Sequence, residues 1–149
     1  MKTTISLIFV FFLLADTANS ANFMTSDDYW KGKTAYMKGD HKLAFDTWIG
    51  HAEAGVPEAQ GLIANLYHAG QGVTKNFKQA FRWYLKSAKK GFSPAQLGLG
   101  NMLADGLGIK KDYVTAHMWF NLAAANGNHR AQYNLKKVES RMSQKDIKL

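Results

Sequence analysis

Histidine is the residue type in this chain that most readily suggests metal or acid–base chemistry, and the five histidines are His41, His51, His68, His117 and His129. No two of them form the i, i+4 pair that places two imidazoles on one helix face, and no HExxH motif is present. His51 and Glu53 are two residues apart and would point to different faces of a helix. The spacing therefore predicts no metal site and no bound cofactor.

The carboxylates raise the alternative of hydrolytic chemistry. Most of them fall at expected helix starts or solvent-facing positions, where N-capping and the helix dipole explain them, and Asp112 is the clearest N-cap candidate. No serine stands in a nucleophile-elbow sequence, and the chain has no cysteine. We therefore predict that the protein is not an enzyme. The alternative left open is a hydrolase that acts on cell-wall material through Glu53 or Asp105.

Two glycine pairs could in principle cradle a phosphate, Gly70 with Gly72 and Gly106 with Gly108. A phosphate loop follows a strand and opens a helix, whereas a helical pattern precedes both pairs here. Both pairs are therefore expected to be loop glycines with positive φ.

A row of cations runs at i+4 spacing and would lie along one helix face. We call Lys78, Arg82, Lys86 and Lys90 the basic row. The formal net charge of the chain is +8, which favours acidic partners in general. A solvated face is the simplest interpretation of the row. The alternatives are a docking surface for an acidic partner and a surface that binds an anionic membrane.

A repeat of 36 residues positions these side chains. The segment 59–73 aligns with 95–109, and the offset persists in Ala44, Ala80 and Ala116 and again in Gly55, Gly91 and Gly127. Within each unit apolar residues recur at spacings of three and four, which is the period of an amphipathic helix. Each unit is therefore predicted to be an antiparallel pair of helices.

The fold class that follows is all-α. We predict an αα-superhelix, or solenoid, of about three helix-turn-helix repeats at about 28–56, 57–92 and 93–128, with a C-terminal cap at 129–149. The loop within the first repeat is five residues shorter than the later ones. Lys136 takes the place of a small residue, so a helix from 131 to about 143 is expected to face solvent.

The repeated pattern resembles a known family. Ala-Gln is followed by Gly-x-Gly-Val/Ile, then Lys-Asn/Asp-Phe/Tyr, Trp-Tyr/Phe and a closing glycine, twice within residues 59–127. This pattern resembles the Sel-one-like repeat, a relative of the tetratricopeptide repeat. The resemblance implies a right-handed superhelix whose concave face is lined by the first helix of each pair. It also implies an adaptor that binds other proteins or peptides.

Partner-binding residues are then expected at first-helix positions that face away from the core. Amide and small apolar groups along a groove suit hydrogen bonds to an extended peptide or a partner helix. The predicted partner-binding residues are Gln60, Leu62, Asn65, His68, Gln96, Asn101, Asp105 and Gln132.

The first twenty residues match a secretory signal peptide. Lys2 supplies the positive start, residues 5–15 form a short apolar run, and cleavage is expected between Ser20 and Ala21. The sequence thus predicts a periplasmic or secreted monomer that binds a protein partner on its concave face, as an envelope adaptor or an immunity-type antagonist. Export argues against nucleic acid as the partner.

Overall fold

A computed structural model describes residues 22–143, and the predicted signal peptide lies outside these residues. One helical turn at 22–25 precedes seven longer helices, and no strand occurs within the described residues. The helices are α1 Asp27–Met37, α2 His41–Glu53, α3 Pro57–Ala69, α4 Phe77–Lys89, α5 Ser93–Asp105, α6 Tyr113–Ala125 and α7 His129–Glu139. The prediction of an all-α fold is confirmed.

The helices form three pairs in chain order, α1–α2, α3–α4 and α5–α6, and α7 closes the array. Each helix packs on its neighbours in sequence, and α5 also touches α7. Ala44, Ala80 and Ala116, which are spaced by the repeat period, are completely buried in the second helices. A small side chain is required there because the neighbouring helix approaches closely.

Large rings from the second helices fill the space between the helices. Trp48, Tyr84 and Phe120 stand at the same repeat position, and all three are buried. A Cβ atom at Gly98 would overlap the Tyr84 ring, and one at Gly100 would overlap the Phe120 ring. The first helices therefore carry glycine where a second-helix ring presses against their backbone.

Four of the helices begin with an aspartate or asparagine cap. Asp40, Asn76, Asp112 and Asn128 each accept a hydrogen bond from a backbone N–H in the first turn of the helix that follows. The predicted N-cap role of Asp112 is thus confirmed. The Thr115 hydroxyl, 2.6 Å from Oδ2, and the Thr115 backbone N–H hold the pKa of Asp112 below its usual value.

The two glycines of each loop pair have different roles: the first ends a helix, and the second lies against the preceding repeat. Gly70 and Gly106 end α3 and α5 in the left-handed conformation, with φ of 70° and 74°. Gly72 and Gly108 also have positive φ, and each lies against the backbone at the start of the preceding repeat's second helix. A Cβ atom at Gly108 would overlap the backbone of Phe77. The predicted positive φ is confirmed, and the inter-repeat contact is an addition to it.

The two ends of the array differ from the predictions in detail. The α1–α2 connection spans only 38–40, whereas the later ones span 70–76 and 106–112, so the first loop is shorter as predicted, but by four residues rather than five. The final helix begins two residues before the predicted 131, because Asn128 caps it, and ends at Glu139. Lys136 is exposed as expected. None of the helices within residues 22–143 is long and apolar enough to cross a membrane.

Candidate functional site

The first helices α1, α3, α5 and α7 form one face of the array, which we call the first-helix face. One depression near its start is lined by Trp30, Lys31, Thr34, Ala35, Lys38, Asp40 and Leu43, and three others lie further along the array. The α3 groove, of about 370 Å³, is lined by Tyr36, Trp48, Leu62, Asn65, Leu66, His68, Ala69 and Gln71. The α7 groove, of about 480 Å³, is lined by Leu97, Asn101, His129, Arg130, Tyr133 and Asn134. The notch, of about 100 Å³, is lined by Asn101, Ala104, Asp105, Tyr113, Phe120, Asn134, Lys137, Val138 and Arg141.

Asparagines recur on this face at equivalent repeat positions. The Tyr84 hydroxyl donates a hydrogen bond to Oδ1 of Asn65. One repeat later Phe120 stands in place of Tyr84 and has no hydroxyl, and Nδ2 of Asn134 donates to Oδ1 of Asn101 over 2.7 Å instead. In both cases the amide oxygen is occupied within the protein, so the amide N–H groups of Asn65 and Asn101 are available to a ligand.

His68 is one of the side chains that line the α3 groove. Its ring packs edge-on against Phe77, with 5.3 Å between the ring centres, and its Nδ1 is buried with no hydrogen-bond partner among the described residues. Burial lowers the pKa of His68, the positive charge of Lys75 lowers it further, and Asp105 opposes both. The groove therefore favours a neutral imidazole at this position.

The notch gathers charge from the end of the array. Lys137 and Arg141 both line it, and both are exposed. Nη1 of Arg141 lies 3.5 Å from the Tyr113 hydroxyl, and this guanidinium is the largest of the contacts that lower the pKa of Tyr113. Asp105 is the acidic residue among the lining side chains. Two cations and two asparagine amides thus converge on a space that fits a small anionic group.

Gln60 and Gln96 need correction as partner-binding residues, because both side chains are buried. Nε2 of Gln60 donates to the carbonyl oxygen of Ala52 over 3.1 Å, and Nε2 of Gln96 donates to that of Ala88 over 3.3 Å. Each glutamine therefore satisfies a carbonyl near the end of the preceding repeat's second helix. They join the repeats and cannot touch a partner.

The other predicted partner-binding residues lie on or near the first-helix face. Leu62 and Asn101 are half-buried in their grooves, while Asn65 and Asp105 are exposed. Gln132 is exposed but is not among the side chains that line the three depressions. The predicted residues do not include a cluster on α7 and beyond it: Tyr133, Asn134, Lys137 and Arg141. One more step of the period could have indicated two of them, because Lys137 and Arg141 stand 36 residues after Asn101 and Asp105.

The basic row lies on the outer side of α4, and all four of its side chains are exposed. The Lys86 ammonium sits over the ring of Trp83, 4.3 Å from its centre. Nζ of Lys90 donates to the carbonyl oxygen of Gly55 over 2.6 Å and so ties α4 to the preceding repeat. Two of the four cations therefore also have structural contacts.

The remaining histidines and the candidate catalytic carboxylates are separated in space and in role. His51 pairs with Asp28 at 2.9 Å, and His117 pairs with Glu139 at 3.0 Å. Glu53 is exposed at the end of α2, and it lines none of the three depressions. Within residues 22–143, no group of three or more histidine, aspartate or glutamate side chains is placed to hold a metal ion.

Comparison with known proteins identifies the repeat. The family model for the Sel1 repeat matches twice, at residues 57–92 and 93–128. These spans correspond to the pairs α3–α4 and α5–α6. A search of curated proteins gave no match.

Two solved structures share the fold. One is c5321, described as a protective antigen present in uropathogenic Escherichia coli strains that displays an SLR fold. It is 29% identical, with a TM-score of 0.75 over 89% of this chain and 27% of its own. The other is a Sel1 repeat protein from Oxalobacter formigenes, 34% identical, with a TM-score of 0.68 over 73% of this chain and 43% of its own. The chain thus spans less than half the length of either.

Proposed function

Because residues 57–128 are two Sel1 repeats, which generally act as protein–protein interaction modules, we propose that the chain binds one protein partner along its first-helix face. The binding is reversible and uses a surface that is already formed in the free protein. The chain acts as a monomer and supplies contacts rather than chemistry. The partner is an extended peptide segment or a helix, because these fit a groove between parallel ridges of side chains.

The observation that carries this proposal is the continuity of hydrogen-bonding groups along the face. Asn65 in the α3 groove and Asn101 between the α7 groove and the notch are one repeat apart, and each has its amide oxygen bound within the protein. Their N–H groups can donate to main-chain carbonyls of a bound segment. Leu62, Leu97 and the exposed ring of Tyr133 provide apolar contacts beside them.

The notch adds a charge preference to this face. Lys137 and Arg141 attract a carboxylate, and the amide of Asn101 can donate a hydrogen bond to it. We therefore propose that the bound segment carries an acidic side chain or a terminal carboxylate at the end that reaches α7. Asp105 at the rim disfavours a second acidic residue nearby.

The cellular role that we propose is in the cell envelope or outside it. The predicted signal peptide at residues 1–20 supports this location, as does the similarity to a protective antigen of Escherichia coli. In that location the module serves as an envelope adaptor or as an immunity-type antagonist that covers a partner's active surface.

The test is capture of a partner by the chain that begins at Ala21, cross-linked in cells. The informative variant combines Lys137→Glu with Arg141→Glu. The matched control combines Lys89→Glu with Lys110→Glu, which changes the net charge equally at two exposed side chains that line none of the depressions. We expect one stoichiometric partner, retained by the control and reduced at least tenfold by the variant.

A second variant tests the grooves independently of charge. Asn65→Leu combined with Asn101→Leu removes both amides and leaves the net charge unchanged. We expect a weaker complex with the same partner. A partner captured equally by both variants and by the unaltered chain would overturn the assignment to the first-helix face.

A further inference from the structure

Three large apolar side chains are exposed on the outer side of α6. Val114, Met118 and Leu122 have 40%, 46% and 43% of their surface accessible, and they recur at i, i+4 and i+8. The spacing aligns them along one side of the helix. We call these three residues the apolar stripe. A row of this kind on a helix surface requires an explanation, whereas single exposed apolar residues do not.

The apolar stripe stands at the repeat positions that the basic row occupies on α4. One period of 36 residues separates Val114 from Lys78, and the same period separates Met118 from Arg82 and Leu122 from Lys86. The outer surface therefore changes from cationic to apolar between two consecutive second helices. It does so without any change in the backbone of the repeat.

The end of the array does not account for this exposure. Lys78, Arg82 and Lys86 lie in a repeat that is followed by another complete repeat, and they are nevertheless exposed. The fold thus turns this repeat position toward solvent whether or not another pair follows. A further helix pair after α7 would not cover Val114, Met118 or Leu122.

Carboxylates are scarce around both rows. Neither α4 nor α6 contains an acidic residue, and between Glu58 and Glu139 the only two carboxylates are Asp105 and Asp112. Asp105 lies in the notch, and Asp112 is engaged as the cap of α6. Glu139 of α7 reaches α6, where it is paired with His117. The charged side chains of α4 and α6 themselves are all cationic.

We propose that this surface binds an anionic phospholipid bilayer, with the apolar stripe inserted among the lipids and the basic row against the headgroups. Apolar side chains flanked by lysine and arginine are the combination that holds peripheral proteins at such surfaces. Trp83, beneath the Lys86 ammonium, adds a side chain type that is enriched at membrane interfaces. The partner on the first-helix face would then be held near the membrane.

The charge pattern distinguishes this occupant from two others. A second copy of the chain would bring two basic rows together, and like charges in an interface disfavour association. A protein partner is usually fixed in register by charges of both signs, and the two helices that carry this surface contribute no carboxylate. An anionic bilayer requires only cations and apolar groups.

The experiment measures binding of the chain from Ala21, which contains every described residue, to vesicles of phosphatidylglycerol and phosphatidylcholine. One variant makes the stripe polar, Val114→Ser with Met118→Gln and Leu122→Gln, and its matched control is Met37→Gln with Leu43→Gln, which are exposed apolar residues elsewhere. A second variant, Lys78→Gln with Arg82→Gln and Lys86→Gln, is compared with Lys31→Gln, Lys38→Gln and Lys136→Gln.

We expect binding to anionic vesicles that weakens at high salt, and at least a tenfold loss of partitioning in each of the two variants but less than a twofold loss in each control. No binding to anionic vesicles would overturn the proposal. Equal losses in the basic-row variant and in its lysine control would also overturn it, because net charge alone would then explain the binding. Full binding by the polar-stripe variant would do the same.

A reporter at the stripe keeps the test decisive if a triple variant does not fold. The chain has no cysteine, so Met118→Cys and Met37→Cys each create one site for an environment-sensitive dye. We expect a blue shift with anionic vesicles for the label at position 118 and none at position 37. Similar responses at both positions, or none at 118, would contradict insertion of the apolar stripe.

Discussion

The Tyr84 hydroxyl donates a hydrogen bond to Oδ1 of Asn65 and thereby joins the second helix of one repeat to the first-helix face. Tyr84 is buried, and burial raises the pKa of its hydroxyl to about 12 from an ordinary value of 10.0. The folded protein therefore holds this proton between about pH 10 and 12, where the unfolded chain has lost it. Stability from this group is complete below pH 10 and declines as the pH rises.

Replacing Tyr84 with phenylalanine tests this coupling. At neutral pH Tyr84→Phe is expected to lower the free energy of unfolding by about 1 kcal/mol, the net contribution of one hydrogen bond. Between pH 10 and 12 the difference should fall by roughly 1.4 kcal/mol per pH unit, and so change sign near about pH 11, because the variant has no proton to lose there. Urea unfolding at several pH values measures both effects. A difference that is independent of pH would contradict the raised pKa.

The loop glycines provide a prediction about contacts between repeats. Gly108→Ala is expected to lower the free energy of unfolding by more than about 3 kcal/mol. The new Cβ would overlap the backbone of Phe77, and alanine also disfavours the positive φ at this position. Gly91 also has positive φ, of 86°, but nothing within 4 Å of its Cβ position, so Gly91→Ala should cost only about 1–2 kcal/mol. Equal losses in urea unfolding would show that the inter-repeat contact contributes nothing.

The buried glutamines can be separated from binding residues by one comparison. Gln96→Ala removes one of the hydrogen bonds to the Ala88 carbonyl, which also accepts from the Gly91 N–H, and leaves the Asn126 amide without its partner. We expect a loss of about 1–2 kcal/mol in the free energy of unfolding. Gln132 stands at the same repeat position but is exposed, so Gln132→Ala should change stability by less than about 0.5 kcal/mol. Affinity for the partner, measured per folded molecule, should be unchanged in Gln96→Ala. A selective loss of affinity would return Gln96 to the binding face.

Much of the fold could be predicted because the period of 36 residues is visible without a structure. The offset that joins Ala44, Ala80 and Ala116 fixes the helix pairs, and the asparagine or aspartate before each second helix marks its start. Helical periodicity alone does not say which neighbour a side chain meets. It therefore predicts that Gln60 and Gln96 face away from the core, whereas both side chains reach back to the preceding repeat.

The candidate site was only partly predictable for a related reason. The period predicts Asn65 and Asn101, and it also places Lys137 at the position of Asn101 and Arg141 at that of Asp105. The change of residue type at these two positions, from amide and carboxylate to cation, hides the equivalence. The apolar stripe could have been found from the sequence. Val114 stands one period after Lys78. Comparison of the two positions shows that the outer side chains change from cationic to apolar between repeats, which is not visible along one helix alone.

The pKa of His68 leads to the last prediction, which concerns acid. Burial and Lys75 lower this pKa from 6.5, so the folded protein favours the neutral ring while the unfolded chain takes up a proton near pH 6.5. Because the unfolded state binds more protons in that range, stability from this group is present above pH 6.5 and is lost as the pH falls through the lowered value.

NMR titration should place the His68 midpoint below 6.5. In His68→Gln, the fall in stability between pH 7.5 and 5 should be smaller than in the unaltered chain, whereas replacing the exposed His129 with glutamine serves as the control. A midpoint at or above 6.5, or an equal fall in His68→Gln, would contradict a neutral imidazole in the α3 groove.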